Sequence, residues 1–171
     1  MQLMNNSKIK DLQVISLDTF QDHRGLYVET FNYDHYKKII PKVEFVQDDF
    51  SYSHRNVLRG IHGDYKTWKL IHCPIGEIFL VVVDWREDSS TFKKWESFKL
   101  NSKNMLQILI PPGCGNGHYV LSEHAIFSYK QSTYYERESQ FSIAYNDKSL
   151  GIDWPLLENS PILSERDEYN S

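Results

Sequence analysis

Cysteine is scarce in this sequence. Cys73 and Cys114 are the only two among 171 residues, and no CxxC pair occurs. A disulfide framework is therefore not expected, and the usage suits a reducing cytoplasm. No uninterrupted apolar run approaches the ~20 residues that cross a bilayer. The mean hydropathy of -0.53 agrees, and no membrane span is expected. Met1 to Asp11 is polar and has no apolar h-region, so no secretory signal is expected either. Positive charge is not in excess: 19 Lys and Arg stand against 23 Asp and Glu, a formal charge of -4. The basic stripe of a nucleic-acid binder is missing. GxGxxG, GxxxxGK[ST] and GxSxG are all absent, which removes the specific signals of dinucleotide, P-loop and serine-hydrolase sites. Without repeats, low-complexity stretches or a Pro/Gly-rich linker, residues 1–171 read as one domain. A domain of roughly 150 residues buries about 70% of its unfolded surface, so it needs no metal or disulfide staple.

Aromatic residues are plentiful at 14%, with 11 Tyr, 9 Phe and 4 Trp. They suit packing in a β-rich core, or the walls of a pocket that stacks sugars or bases. The punctuation is β-like, with short runs of Val, Ile, Phe and Tyr broken by turn residues. Strands are expected at Gln13–Leu17, Gly25–Phe31, Val43–Ser51, Val57–His62, Trp68–Pro74, Glu77–Trp85, Trp95–Leu100, Met105–Ile110, His118–Leu121, Ala125–Tyr134 and Phe141–Tyr145. The continuous apolar run Phe79–Val83 predicts a strand buried on both faces. One helix is expected, at Tyr33–Ile40, stopped by Pro41. Ile152 to Asp167 is expected to wrap over the body as ordered coil. The pattern predicts an all-β fold, a jelly-roll or double-sheet β-barrel enclosing a pocket lined by alternating inward residues.

Three clusters could carry chemistry. In Val57-Leu58-Arg59-Gly60-Ile61-His62-Gly63-Asp64, strand alternation sends Arg59 and Ile61 to one face, Gly60 and His62 to the other. Gly60 leaves room beside His62, although a lone histidine in a strand is ordinarily structural. Lys69 heads the next strand and could meet His62 across a hairpin, as an oxyanion stabiliser if it lies in a pocket. Ile110-Pro111-Pro112-Gly113-Cys114-Gly115-Asn116-Gly117-His118 reads as a tight turn leading into a strand. Tyr129 is a credible proton donor, or simply a packing ring with a bonded hydroxyl. No set of three His or carboxylates at ligand spacing remains: Asp64 follows His62 by two, and Asn116 stands where a histidine would be needed. No metal is expected.

At these residues the chain resembles the nucleotide-4-ketosugar epimerases of the dTDP-4-dehydrorhamnose 3,5-epimerase type. The resemblance runs from about Asp11 to Asp167. It rests on Asp22-His23-Arg24-Gly25-Leu26-Tyr27-Val28-Glu29, Phe45-Val46-Gln47-Asp48, Asn56 to His62, Lys69-Leu70, Ile110 to Gly113, Tyr129-Lys130, Asn146-Asp147, Ile152-Asp153-Trp154-Pro155 and Leu163 to Asp167. It implies a cupin-type jelly-roll without metal or other cofactor, acting as a cytoplasmic homodimer on a nucleotide-diphosphate 4-keto sugar. By resemblance, His62 is the base at the carbon beside the 4-keto group, Asp167 orients it, Lys69 holds the enolate oxygen, and Tyr129 returns a proton from the opposite face. Arg24, Glu29, Gln47 and Arg59 match positions that bind the nucleotide sugar, with Asn116 and His118 as further pocket residues. His62-Gly63-Asp64 and Gly115-Asn116-Gly117-His118 depart from the usual family runs. The run Gly63-Asp64-Tyr65-Lys66-Thr67-Trp68-Lys69 and the Gly-Asn-Gly-His turn resemble a subgroup acting on GDP-linked 4-keto-6-deoxy sugars or 4-keto-heptoses in capsule biosynthesis, with a dTDP-4-keto-6-deoxyhexose as the alternative substrate. A 3,4-ketoisomerase of nucleotide sugars and a non-catalytic sugar-binding cupin are the competing readings.

Overall fold

In the computed structural model, which describes residues 1–4 and 7–169, thirteen strands and two α-helices follow in this order, with one short 3-10 turn at Arg137–Ser139. They are β1 (Gln2–Met4), β2 (Gln13–Ser16), β3 (Thr19–Asp22), β4 (Gly25–Val28), α1 (Tyr33–Ile39), β5 (Gln47–His54), β6 (Leu58–Gly63) and β7 (Lys69–Ile75). Then come β8 (Glu77–Asp84), β9 (Trp95–Asn101), β10 (Leu106–Ile110), β11 (Cys114–Val120), β12 (His124–Gln131), β13 (Phe141–Ser142) and α2 (Glu165–Tyr169). A six-stranded sheet has the order β1-β2-β10-β7-β12-β5, and a five-stranded sheet the order β13-β6-β11-β8-β9. β3 and β4 form a separate hairpin. The pairings between these strands are antiparallel, and the architecture is the expected jelly-roll of two facing sheets.

Strand alternation explains three apolar layers. Ile71, Ile108, Leu80, Val82, Val120 and Phe127 pack between the sheets. Val81, Val83, Leu58 and Tyr119 point the other way, beneath Ile143, Leu150 and Trp154 of the C-terminal segment. Ile15, Leu70 and Leu109, on the outside of the six-stranded sheet, are covered by Tyr36 and Ile40 around α1. The Phe79–Val83 run is thus explained: Leu80 to Val83 are fully buried, alternating between the central layer and the one under the tail. Asn32 caps α1, its side chain accepting from the Asp34 N–H, and the helix stops two residues before Pro41.

Several boundaries differ from the sequence expectations. β1 and β3 were not anticipated, and β4 ends at Val28 rather than Phe31. Val43 and Phe45 are drawn into the layer under α1, where Phe45 meets Phe31 edge-on, so β5 starts only at Gln47. β5 continues past Ser51 to His54, because the chain reverses at Asn56, whose φ of 69° is a left-handed conformation that asparagine tolerates. β12 stops at Gln131 and β13 at Ser142, each short of the expected end. β11 begins at Cys114, not His118. Only Pro111 to Gly113 turn, and the glycines beyond are strand, because β6 and β11 approach too closely for side chains. A Cβ on Gly60 would lie 2.6 Å from the Asn116 carbonyl oxygen.

The tail is held as an ordered strap that ends in a helix rather than coil. Ile162 bridges Val57 in parallel, its N–H donating to the Asn56 carbonyl while the Leu58 N–H donates to its own carbonyl. The buried Asn56 side chain donates to Glu158 Oε2 (3.2 Å) and to the Ser160 carbonyl (3.0 Å), and accepts from the Tyr119 hydroxyl. Trp154 Nε1 donates to the Tyr145 carbonyl at 2.8 Å. Asn56→Ala removes both side-chain bonds to the tail and takes away the acceptor of the buried Tyr119 O–H, whose oxygen keeps the Leu157 N–H at 2.9 Å. It is expected to cost about 3 kcal/mol, measured by urea denaturation. A loss below about 0.5 kcal/mol would show that the strap is held by its apolar contacts alone.

Candidate active site

A cavity of about 320 Å³ opens between the two sheets. Its walls include Arg59, Gly60 and His62 from β6, Asn116 and His118 from β11, Lys69 from β7, Phe127, Tyr129 and Gln131 from β12, and Ser164, Arg166 and Asp167 from the tail. Seven of the ten residues expected at the site therefore share one cavity: His62, Lys69, Tyr129, Asp167, Arg59, Asn116 and His118.

His62 and Arg59 are three residues apart, so simple alternation would place them on opposite faces, as the sequence reading had it. Both line the cavity instead. The register explains why: Asn116 pairs with His62 and His118 with Arg59, so three steps on β6 match two on β11. That extra residue is a β-bulge, and Gly60, at φ 100°, supplies its backbone. Ile61 turns away into the layer beneath the tail and is fully buried.

His62 Nε2 lies 2.7 Å from Asp167 Oδ1, and its Nδ1 lies 3.0 Å from Ser142 Oγ; that hydroxyl oxygen accepts from Arg166 Nη2 at 2.9 Å. Asp167 Oδ2 accepts from the Gly60 N–H (3.3 Å) and from Ser164 Oγ (3.0 Å). Burial pushes the Asp167 carboxyl up, but the His62 imidazole, the Gly60 N–H and the Ser164 hydroxyl outweigh it and hold the group below its ordinary value. The carboxylate stays ionised beside the ring. It thereby holds one nitrogen and leaves the other as the basic one.

Lys69 arrives from the facing sheet, not across a hairpin with β6. Its Nζ donates to Asn116 Oδ1 at 3.3 Å. Burial lowers the Lys69 pKa, against a smaller pull from the Asp64 carboxylate. Tyr129 also projects from the facing sheet, and burial, with Asp49 and Tyr135 acting in the same sense, pushes its phenol up to about 12. It therefore carries its proton at neutral pH. An imidazole on one sheet and a protonated phenol on the other can serve the two faces of one ring-shaped ligand, with the Lys69 amine beside them as a hydrogen-bond donor to developing negative charge.

Gln47, Arg24 and Glu29 do not line the cavity. Gln47 sits just behind it, donating to Asp49, which in turn accepts from the cavity residue Gln131. Arg24 is at the exposed tip of the β3–β4 hairpin, paired with Asp22 at 2.6 Å, and Glu29 is exposed beyond β4 near His35 at 3.4 Å. Asp64 is a structural cap: its Oδ1 accepts from the N–H groups of Lys66 and Thr67, and its Oδ2 from Gln140. Sequence reasoning passed over Arg166, although it adjoins Asp167 in a quoted block. It also passed over Ser142, Ser51 and Phe127, which carry no motif. Among the described residues no group of three or more His, Cys, Asp or Glu could hold a metal ion.

A jelly-roll whose inter-sheet cavity sets an imidazole–carboxylate pair against a phenol and a lysine is equipped for proton transfer on the two faces of a bound ligand. Comparisons with known proteins are more specific. Residues 6–171 match the family profile described as dTDP-4-dehydrorhamnose 3,5-epimerase. The enzyme of that name from Salmonella typhimurium is 40% identical over 171 residues, covering 98% of this chain and 93% of its own. The solved dTDP-6-deoxy-D-glucose-3,5-epimerase of Legionella pneumophila, in complex with dTDP-4-keto-L-rhamnose, superposes with a TM-score of 0.93 at 40% identity, covering 99% of this chain and 90% of that one. A 3'-monoepimerase of Streptomyces bikiniensis, solved with dTDP-quinovose, gives a TM-score of 0.90 at 29% identity, covering 98% and 86%. The chain belongs to the dTDP-4-dehydrorhamnose 3,5-epimerase family and is an isomerase.

The depressed Asp167 carboxyl has a consequence for acid stability. Its contribution is present above the ordinary carboxylate pKa of about 3.9 and is lost as pH falls through the lower, folded value. Urea denaturation between about pH 6 and about pH 3 should show the parent losing stability faster than Asp167→Asn. Parallel curves would mean that the pair does not bias the ionised carboxylate.

Proposed function

We propose that this protein epimerises a nucleotide-diphosphate 4-keto sugar at C3, or at C3 and C5, by removing and returning the proton beside the carbonyl. Deoxysugar biosynthesis in the cytoplasm is the setting. The observation that carries the reading is the His62–Asp167 contact at 2.7 Å facing Lys69 and Tyr129 across one cavity. In this mechanism His62 takes the α-proton, and the charge moves onto the C4 oxygen. Lys69 and its partner Asn116 sit where that oxygen would gain a hydrogen-bond donor; a lost donor of this kind typically costs about 3–4 kcal/mol of barrier. Tyr129 then protonates the carbon from the other face, which inverts it. A single two-way base would return the proton where it was found. Arg59, whose Nε is steadied by Ser53 Oγ at 3.0 Å, suits the diphosphate, because a guanidinium makes bidentate bonds to phosphate oxygens.

The relatives' names make dTDP-4-keto-6-deoxyglucose the first substrate to test. A GDP-linked 4-keto-heptose of capsule biosynthesis is the second, on the strength of the Gly63-Asp64 and Gly115-Asn116-Gly117-His118 runs. Arg24 and Glu29 lie on or just after a hairpin whose Phe20, Leu26 and Tyr27 are exposed. A homodimer that covers this hairpin would bring the pair to the partner's nucleotide sugar.

The test is incubation with each sugar nucleotide in D2O, following deuterium at C3 and C5 by NMR. His62→Asn should abolish exchange at every carbon, whereas Tyr129→Phe should still label unepimerised substrate while product falls by about 10²–10⁴-fold. Migration of the carbonyl to C3 would favour the ketoisomerase. Exchange and inversion falling together in Tyr129→Phe would remove it as the opposite-face acid.

A further inference from the structure

Among the described residues, two buried side-chain polar atoms have no hydrogen-bond partner, Ser51 Oγ and His118 Nε2. Both belong to residues of the same cavity wall. A buried polar atom left unpaired costs about 1–3 kcal/mol, so two of them on one cavity wall call for a ligand that completes them. They flank one ring. The His118 imidazole stacks flat on Phe127, with centroids 4.2 Å apart and planes 7° apart, and Ser51 stands opposite Phe127 in the β5–β12 register.

We propose that Ser51 Oγ and His118 Nε2 bind the 2-hydroxyl of the sugar and so read the configuration at C2, an inference that rests on the epimerase reading above. The chemistry of the pair selects a neutral hydroxyl. His118 is 3% exposed, and burial, reinforced by the Arg59 cation and opposed by the Asp167 carboxylate, pushes its imidazole down to about 3. The ring is therefore uncharged at neutral pH, and its Nε2 offers a single donor or acceptor role. The serine hydroxyl offers both. A sugar hydroxyl can donate to one of these atoms while accepting from the other.

Position selects which hydroxyl. His118 stands opposite Arg59 in the β6–β11 register and lines the same cavity as His62 and Asp167, which puts it beside both the group assigned to the diphosphate on C1 and the pair assigned to C3. The carbon between C1 and C3 is C2. Along the other arc of the ring, from C1 to C5, lies only the ring oxygen, which accepts and cannot donate. An axial and an equatorial 2-hydroxyl point in different directions, so only one of the two epimers can satisfy both atoms. That makes the wall around Phe127 a specificity determinant.

The experiment compares dTDP-4-keto-6-deoxyglucose with its 2-deoxy analogue in the D2O exchange assay, or the corresponding GDP-linked pair if the parent prefers GDP. The proteins are the parent, His118→Phe and Ser51→Ala. Phe at 118 keeps the stack on Phe127 and deletes only the nitrogens. In the parent, loss of the 2-hydroxyl is expected to lower kcat/KM by about 10- to 100-fold, mainly through KM. His118→Phe should show a similar loss on the hydroxylated sugar and little further loss on the 2-deoxy sugar. Calorimetric affinity for the nucleoside diphosphate alone should be the same in all three proteins. Ser51→Ala repeats the test at the second atom should His118→Phe fail to fold. Equal losses on both sugars, or none on either, would overturn the assignment and leave the two atoms to ordered water. A parent inert on every sugar nucleotide offered would overturn the epimerase reading and this inference with it. A parent active on both sugars alike would overturn this inference alone.

Discussion

The contact between His62 and Asp167 is the interaction on which the rest of the site depends. It joins a mid-chain strand to a helix at the far end of the tail, and three features serve it. The β-bulge at Gly60 turns the imidazole into the cavity and aims a backbone N–H at the same carboxylate. The parallel bridge of Ile162 to Val57 fixes the tail along β6, a few residues before Asp167. Asn56 and Tyr119 pin the strap from beneath, through bonds that only a buried amide and phenol can make there. Each device is local, but together they bring a distant carboxylate within hydrogen-bond range of one ring nitrogen. In the proposed mechanism such pre-organisation keeps the imidazole oriented without using binding energy to arrange it.

The two sheets divide the chemistry. The five-stranded sheet and the tail carry the imidazole–carboxylate pair, while the six-stranded sheet carries Lys69 and Tyr129. In the proposed mechanism a ligand between the sheets therefore meets different proton-transfer groups on its two faces, which inversion requires and a single-walled groove would not provide. The separation is maintained by apolar packing at one end of the barrel, where Ile71, Leu80 and Val82 fill the space. At the other end Gly60, Asn116, His118 and Gln131 replace large aliphatic side chains, and the space stays open. Burial there has opposite consequences for different groups: it keeps the Tyr129 phenol protonated and the His118 imidazole neutral.

Much of this was legible in the sequence, for identifiable reasons. Alternation and turn residues located most strands, and the Phe79–Val83 run marked the strand covered on both sides. The quoted blocks named seven residues that share the cavity. What failed was whatever depended on register or on a second sheet. The bulge at Gly60 cancels the alternation that should have separated Arg59 from His62, and no propensity scale encodes an extra residue against a partner strand. Lys69 was expected across a hairpin, yet β6 and β7 belong to different sheets. The glycines after Pro112 read as a turn, because their reason for being glycine, the close approach of β6, is a tertiary fact. Arg24 and Glu29 lie away from the cavity of their own chain, and Ser51 and Ser142 have no sequence signature at all.

The central claim is that the tail completes the base. Its most direct test is the rate of substrate deuterium exchange in Asp167→Asn, measured alongside the affinity for the nucleotide sugar. Asparagine fills the same space and can still accept from Gly60 and Ser164, so the fold and the cavity should persist. It cannot, however, offer the ring a charge. The account predicts that exchange falls by about 10²-fold or more while the affinity changes by less than about threefold. Exchange within a few-fold of the parent would contradict it, because His62 would then be a sufficient base without the tail.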